Sequence, residues 1–212
     1  MGKKNSILNV ALELFGHKGF EGTSVREIAL KSKVNLAMIN YYFGSKEKLF
    51  ESVVELKTNF LKEIFQKLID DSDLSPIEKM DVIIDSYVNR IFGNPLFHHT
   101  LHRELSLDMR GQMHEKIIEV LLRNVLIIKK IINAGIAEGV FKKVDPELTV
   151  ATIIGTINQL VMSEALCRKL VQKNKEFNPY QSKKFKERVS NHLKQLMRFH
   201  LLVNSKSLNK QR

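Results

Sequence analysis

The stretch from Ile7 to Leu49, ILNVALELFGHKGFEGTSVREIALKSKVNLAMINYYFGSKEKL, constrains the fold of this chain more than any other. Apolar residues recur as Ile7, Val10, Ala11, Leu14 and Phe15, the period of about 3.6 residues that marks one buried helix face. Gly16 and Gly19 break that pattern near Phe20. Ser24, with Glu27 three residues on, then forms a capping box, in which side chains satisfy the orphan N–H groups of a helix start. Val25, Ile28 and Ala29 give this short second helix its apolar edge. After a turn at Ser32-Lys33-Val34 a third helix runs from Asn35 to about Tyr41, and Gly44-Ser45 opens a fourth. Helix, turn and short helix beside cationic residues is the layout of a helix-turn-helix that reads DNA.

The residues that carry this pattern are Ala11, Leu14-Phe15, Gly19-Phe20, Thr23-Ser24-Val25, Ile28-Ala29, Val34, Tyr41-Tyr42-Phe43, Ser45-Lys46 and Leu49. Together they resemble the DNA-binding domain of the TetR family of bacterial transcriptional regulators, without a gap over more than forty residues. Two departures from the family pattern matter. Ser32-Lys33 stands where members usually carry Ala-Gly. A non-glycine residue in a left-handed turn costs about 1–2 kcal/mol, so a locally reshaped turn is expected. Asn40 stands where a tyrosine is common, which alters the contact pattern rather than the fold.

Charge is distributed unevenly. Residues 1–48 hold eight Lys/Arg against four Asp/Glu, and residues 49–167 hold thirteen against seventeen. Residues 168–212 hold thirteen against two, so the net +11 of the chain resides there. The motif, not the overall charge, is therefore the argument for DNA. The single cysteine, Cys167, excludes an intrachain disulfide, fits a cytoplasmic protein, and is expected to be an inert core thiol. The longest charge-free stretch in this half, Leu148 to Ser163, is interrupted by polar residues and too short to span a membrane. Asn9 and Glu13 spoil any signal-peptide reading of the N-terminus.

The rest of the chain is read as all-α, about nine helices in total. A long helix follows Ser45 to about Ile69. Ser75-Pro76-Ile77-Glu78 restarts the chain with a cap, a first-turn proline and a capping-box glutamate. A shorter helix ends near Leu105, and one from about Met109 to Glu138 is apolar on most of its circumference. Gly139 closes it and Asp145-Pro146 opens a helix expected to run unbroken to about Val171. A last helix ends near Val203. The expected division is a helix-turn-helix domain at 1–48, a helical ligand-binding and dimerisation domain at 49–203, and a basic tail at 204–212.

The third helix offers Asn35, Leu36, Met38, Asn40 and Tyr41 to the major groove, where asparagine pairs with adenine and apolar side chains meet the thymine methyl. Thr23 and Ser24, at a helix N-terminus, suit phosphate. Arg26 and Lys33, with the Lys3-Lys4 arm, add salt-dependent attraction. The resemblance implies further phosphate contacts from Tyr42 and Lys46.

By the same resemblance, the second domain binds a small-molecule effector and dimerises through its last two helices. The candidate cavity lining is Phe60, Ile64, Tyr87, Ile91, Phe97, His98, Leu101, His102 and Ile117, and the candidate dimer contacts are Ala151, Ile154, Gly155, Asn158, Met162, Leu193 and Leu196. His98 and His102 lie four apart on one helical face, yet lack the carboxylate or cysteine partner that a metal needs. No cofactor is expected. No phosphate loop, nucleophile elbow or cysteine cluster appears, so the chain is not expected to be an enzyme.

The expectation is a homodimeric, ligand-responsive repressor that binds a near-palindromic operator and is released or rearranged by its effector. The alternative is an architectural DNA binder of low specificity that uses the basic segment 168–212.

Overall fold

The computed structural model describes residues 2–107 and 111–203. Ten helices are found among these residues: α1 (Lys3–Lys18), α2 (Val25–Lys31), α3 (Leu36–Phe43), α4 (Lys46–Asp70), α5 (Pro76–Gly93), α6 (Pro95–Ser106), α7 (Gly111–Ala137), α8 (Pro146–Val161), α9 (Glu164–Leu170) and α10 (Lys183–Leu201). The Met109 start expected for α7 and the tail at 204–212 lie outside the described residues. A lone antiparallel bridge joins Phe141 to Leu202.

Local chemistry sets most helix starts. Side-chain oxygens of Ser24, Asn35, Asp145, Ser163 and Ser182 accept backbone N–H groups of α2, α3, α8, α9 and α10. At α5 the Ser75 N–H donates to Glu78 Oε2 at 2.9 Å, the reciprocal arm of a capping box. Hydrogen bonds from the Ser75 hydroxyl and then its N–H hold the Glu78 carboxyl below the usual carboxylate range.

The helix expected to run unbroken from Pro146 to Val171 is instead two helices bent by 102°. Ser163 adopts an extended backbone (φ −146°, ψ 110°) and its hydroxyl caps α9, with Glu164 in the first turn. A serine followed by an acidic residue is itself a helix start, and it overrides the apolar continuity around it. This break raises the helix count above the nine expected. No single helix among the described residues is long and apolar enough to cross a membrane.

The chain forms two compact units, Met1–Phe60 with Leu96–Leu122, and Leu61–Pro95 with Arg123–Arg212. In the first, Phe15, Phe20 and Phe50 pack with ring centroids 5.3–5.6 Å apart. Ile7, Ala11, Ile28, Ile39, Leu49 and Val53 surround them, and α6 adds Phe97 and Leu101. Gly16 lets α6 approach α1, since a Cβ there would fall 2.4 Å from Leu96 Cδ1.

In the second unit α5 packs against α8 and α10. α10 repeats Phe185, Val189, Leu193, Met197 and Leu201, one buried stripe at i, i+4 spacing. Flanking that stripe, Lys194 Nζ lies 2.6 Å from Asp85 Oδ2, and Arg198 pairs with Asp81. Cys167 is buried in the same core, and burial pushes its thiol pKa up.

Candidate nucleic-acid interface

α2 and α3 are joined by a turn whose hydrogen bonds define its shape. Val34 N–H donates to Ala29 O at 3.0 Å and Lys33 N–H to Leu30 O at 3.1 Å, the paired bonds of a Schellman helix end. Lys33 occupies the left-handed position of that motif at φ 54°. The lysine thus takes the left-handed position that a glycine would fill without strain. Replacing Lys33 with glycine should therefore raise stability by about 0.5–1 kcal/mol, the relieved strain exceeding the entropy that glycine adds to the unfolded chain. Urea denaturation of the two proteins checks this, and an unchanged or lower midpoint refutes it.

α3 lies with Ile39 and Phe43 buried and Ala37, Asn40 and Tyr41 exposed. Met38 is half-buried at the edge of this outer face. Leu36 packs against the core, so only part of its side chain reaches outward. Asn35 is exposed, and its Oδ1 accepts Ala37 N–H at 2.9 Å, which makes it the cap of α3. Tyr41 is 85% exposed and Tyr42 39%, their rings 5.5 Å apart.

The turn between α1 and α2 is held from several sides. Thr23 is 1% exposed and its hydroxyl donates to Gly19 O at 2.8 Å, so it secures the turn rather than facing a phosphate. Ser24 Oγ accepts Glu27 N–H at 3.1 Å. Lys46, in the first turn of α4, donates to Phe20 O at 3.0 Å and Thr23 O at 3.2 Å, with its ammonium 4.3 Å from the Phe20 ring centroid. Its side chain keeps 20% exposure, with Glu21 at 3.8 Å. Arg26 and Lys33 are exposed.

Lys4, of the expected Lys3-Lys4 arm, stands 5.7 Å from the Phe43 ring centroid. Several contributors were missed by sequence reasoning. Lys48 is exposed in the first turn of α4 and extends the cationic rim of α3. Its signal was charge beside the motif. From α6, Arg103 donates to Phe15 O, and the buried Glu104 accepts Phe20 N–H at 3.3 Å. The sequence marks this pair by ionic residues beside apolar ones, without saying what they grip.

Of the expected effector lining, Phe60, Phe97, His98, Leu101, His102 and Ile117 belong to the first unit, and Ile64, Tyr87 and Ile91 to the second. Phe60 is 56% exposed; Phe97, Leu101 and Ile117 are buried in the first core, and Tyr87 and Ile91 in the second. Ile64, His98 and His102 are half-buried. Among the described residues no three His, Cys, Asp or Glu side chains gather as a metal site. Of the expected dimer contacts, Ala151, Gly155, Met162 and Leu196 are exposed, and Ile154 and Asn158 are half-buried. Leu193 is fully buried, so its side chain serves the intrachain core instead.

Comparison with known proteins agrees with this geometry. Residues 7–53 match the family described as bacterial regulatory proteins, tetR family, and residues 73–162 match the tetracyclin repressor-like C-terminal domain. The chain belongs to the TetR family. It is 33% identical over 147 residues to the HTH-type transcriptional repressor NicS of Pseudomonas putida, covering 66% of each chain, just under two thirds of that relative's length. It is 26% identical to the fatty acid metabolism regulator protein of Bacillus subtilis, over 75% of this chain and 81% of that protein. Its fold is that of the B. subtilis transcriptional regulator FadR, solved in complex with stearoyl-CoA, at a TM-score of 0.69 and 22% identity, covering 89% of this chain and 96% of that one.

Proposed function

We propose that this TetR-family member is a homodimeric transcriptional repressor that binds a near-palindromic DNA operator and is released or rearranged by a small-molecule effector. The observation that carries the reading is α3 itself, whose outer face of Ala37, Asn40 and Tyr41 stands free beside Lys4, Lys33 and Lys48. A helix with that face fits the major groove, its polar side chains on base edges and the lysines on flanking phosphates. Repression is supported by the NicS relative, a repressor by its description.

Two copies of α3 reach successive major grooves only in a dimer. The face proposed for that contact is formed by α8 and α10. Leu148 and Phe199 are 66% and 72% exposed there, and Leu196 and Met162 add apolar surface. Ala151 and Gly155 are small residues that allow close approach. A groove of about 590 Å³ borders Gly155, lined by Leu160, Val171 and Val189 with Arg188 and His192.

Within the basic segment Lys194, Arg198 and Arg168 are matched by Asp85, Asp81 and Glu164, whereas Lys173, Lys175, Lys184 and Arg188 are exposed, so binding to DNA itself decides between the repressor and the architectural alternative.

Selection from a randomised duplex pool at near-physiological salt tests the function. The expected result is an enriched inverted repeat. Salt-sensitive binding to every duplex without enrichment would instead support the architectural reading. On the selected operator, Asn40→Ala or Met38→Ala should cost about 1–3 kcal/mol at particular base pairs and little on random DNA. Equal losses on both would refute base reading by α3. For release, acyl-CoA thioesters are the first compounds to screen, because the FadR relative was solved with one.

A further inference from the structure

Glu104 is 3% exposed, and among the described residues it is the one charged side chain that is buried. It lies on the inner face of α6, one turn beyond Leu101 and two beyond Phe97, where helical spacing calls for an apolar residue. A buried carboxylate is costly unless it is paired and hydrogen-bonded, so its partners account for its place there. Glu104 Oε1 accepts Phe20 N–H at 3.3 Å, across 84 positions of the chain, and Arg103 Nε lies 3.4 Å from the same oxygen.

Arg103 holds the end of the preceding helix. Its guanidinium donates to Phe15 O and, at 3.5 Å, to Gly16 O, carbonyls of the last turn of α1, where a helix runs short of its own donors. A cation at a helix C-terminus also suits the helix dipole. Gly19, which ends α1 at φ 81°, lies against this side chain, since a Cβ there would stand 3.8 Å from Arg103 Cζ. Phe20 is thus held from two helices. Glu104 of α6 takes its N–H, and Lys46 of α4 donates to its C=O at 3.0 Å. The residues so fixed link α1 to α2, and α2 packs on both α1 and α3.

We propose that Arg103 and Glu104 are positioning residues for operator binding: α6 holds the turn between α1 and α2 and so fixes the stance of α2 and α3 on DNA. The inference rests on the DNA-binding reading above. Glu104 carries the same sign of charge as a phosphate and is sealed from solvent, and the Arg103 guanidinium is committed to carbonyls, so neither acts by touching DNA. Without an acceptor at position 104 the Phe20 N–H and Arg103 lose their common partner. The loosened turn then lets α2 and α3 shift as a pair, which weakens specific and random duplexes alike and removes no charge from the interface.

The test uses the full chain as wild type, Glu104→Gln, Glu104→Leu and Arg103→Met, each at a temperature where its unfolding curve shows it folded. Amide exchange at Phe20, read by NMR, is compared with affinity for the selected operator and for a random duplex. Glu104→Leu should exchange Phe20 at least tenfold faster and bind both duplexes at least tenfold more weakly. Glu104→Gln keeps the acceptor oxygen and the shape, and should stay within threefold of wild type in both readouts. Arg103→Met, at an exposed position, should weaken both duplexes severalfold and leave the slope of log K against log salt unchanged. Wild-type affinity in Glu104→Leu, a Glu104→Gln protein as weak as Glu104→Leu, or an Arg103→Met slope lowered by about 0.9, the mark of a lost phosphate contact, would each overturn the proposal. If Glu104→Leu does not fold, Glu104→Gln and Arg103→Met decide it. The parent reading fails separately: a wild-type protein that binds no duplex, with Phe20 still protected through Glu104, would remove DNA as the partner and leave the grip of α6 on the turn intact.

Discussion

Gly155→Leu should leave each chain folded and yet abolish dimer formation and, with it, tight operator binding. In the single chain a Cβ at Gly155 meets nothing within 4 Å, so a larger side chain enters open space. Leucine also favours helix over glycine by close to 1 kcal/mol, so the unfolding midpoint of the monomer should rise rather than fall. Only a second molecule packed on α8 makes the position crowded. Under the proposed interface the dimer dissociation constant should increase at least about 100-fold, equivalent to about 2.7 kcal/mol. Operator affinity should fall with it, because each half-site is then bound alone. Sedimentation velocity across a concentration series reads the first effect, and titration of full-site and half-site duplexes the second. Gly155→Ala serves as the control, raising monomer stability while adding only one methyl group to the face. A Gly155→Leu protein that remains dimeric and keeps its full-site affinity would place the interface somewhere other than α8.

The helix-turn-helix was legible because its determinants are local. The Ser24 and Asn35 caps, the paired apolar positions of α1 and α2, and the Asp145-Pro146 and Ser75-Glu78 starts all act within a few residues of themselves. What resisted reading depends on neighbours distant in sequence. Leu193 and Leu196 share one apolar pattern, but only the first is sealed inside its own chain. Periodicity gives the same signal for a face covered by its own core and for one covered by another molecule. The break between α8 and α9 was hidden by apolar residues on both sides of Ser163, although its cap was present in the sequence.

Lys46 shows most sharply how a residue can be singled out from the sequence while its geometry stays hidden, and it yields the second large effect. The resemblance implies a phosphate contact. The ammonium instead donates to Phe20 O and Thr23 O and lies over the Phe20 ring, joining the start of α4 to the turn that presents α2. Lys46→Met keeps the apolar stem and removes both bonds and the charge. Two carbonyls then lose a donor and the ring loses its cation, so unfolding free energy should drop by about 1–3 kcal/mol. Operator and random duplexes should both bind at least tenfold more weakly, because the loosened turn no longer holds α2 and α3 in place. The salt dependence separates this role from a direct contact. A lost phosphate contact lowers the slope of log K against log salt by about 0.9, whereas a lost clamp leaves the slope almost unchanged. With Glu21 also 3.8 Å away, the ammonium is already committed on its protein side, and the unchanged slope is the expected result. A slope reduced by a full contact, with an unfolding curve identical to wild type, would return Lys46 to the phosphate.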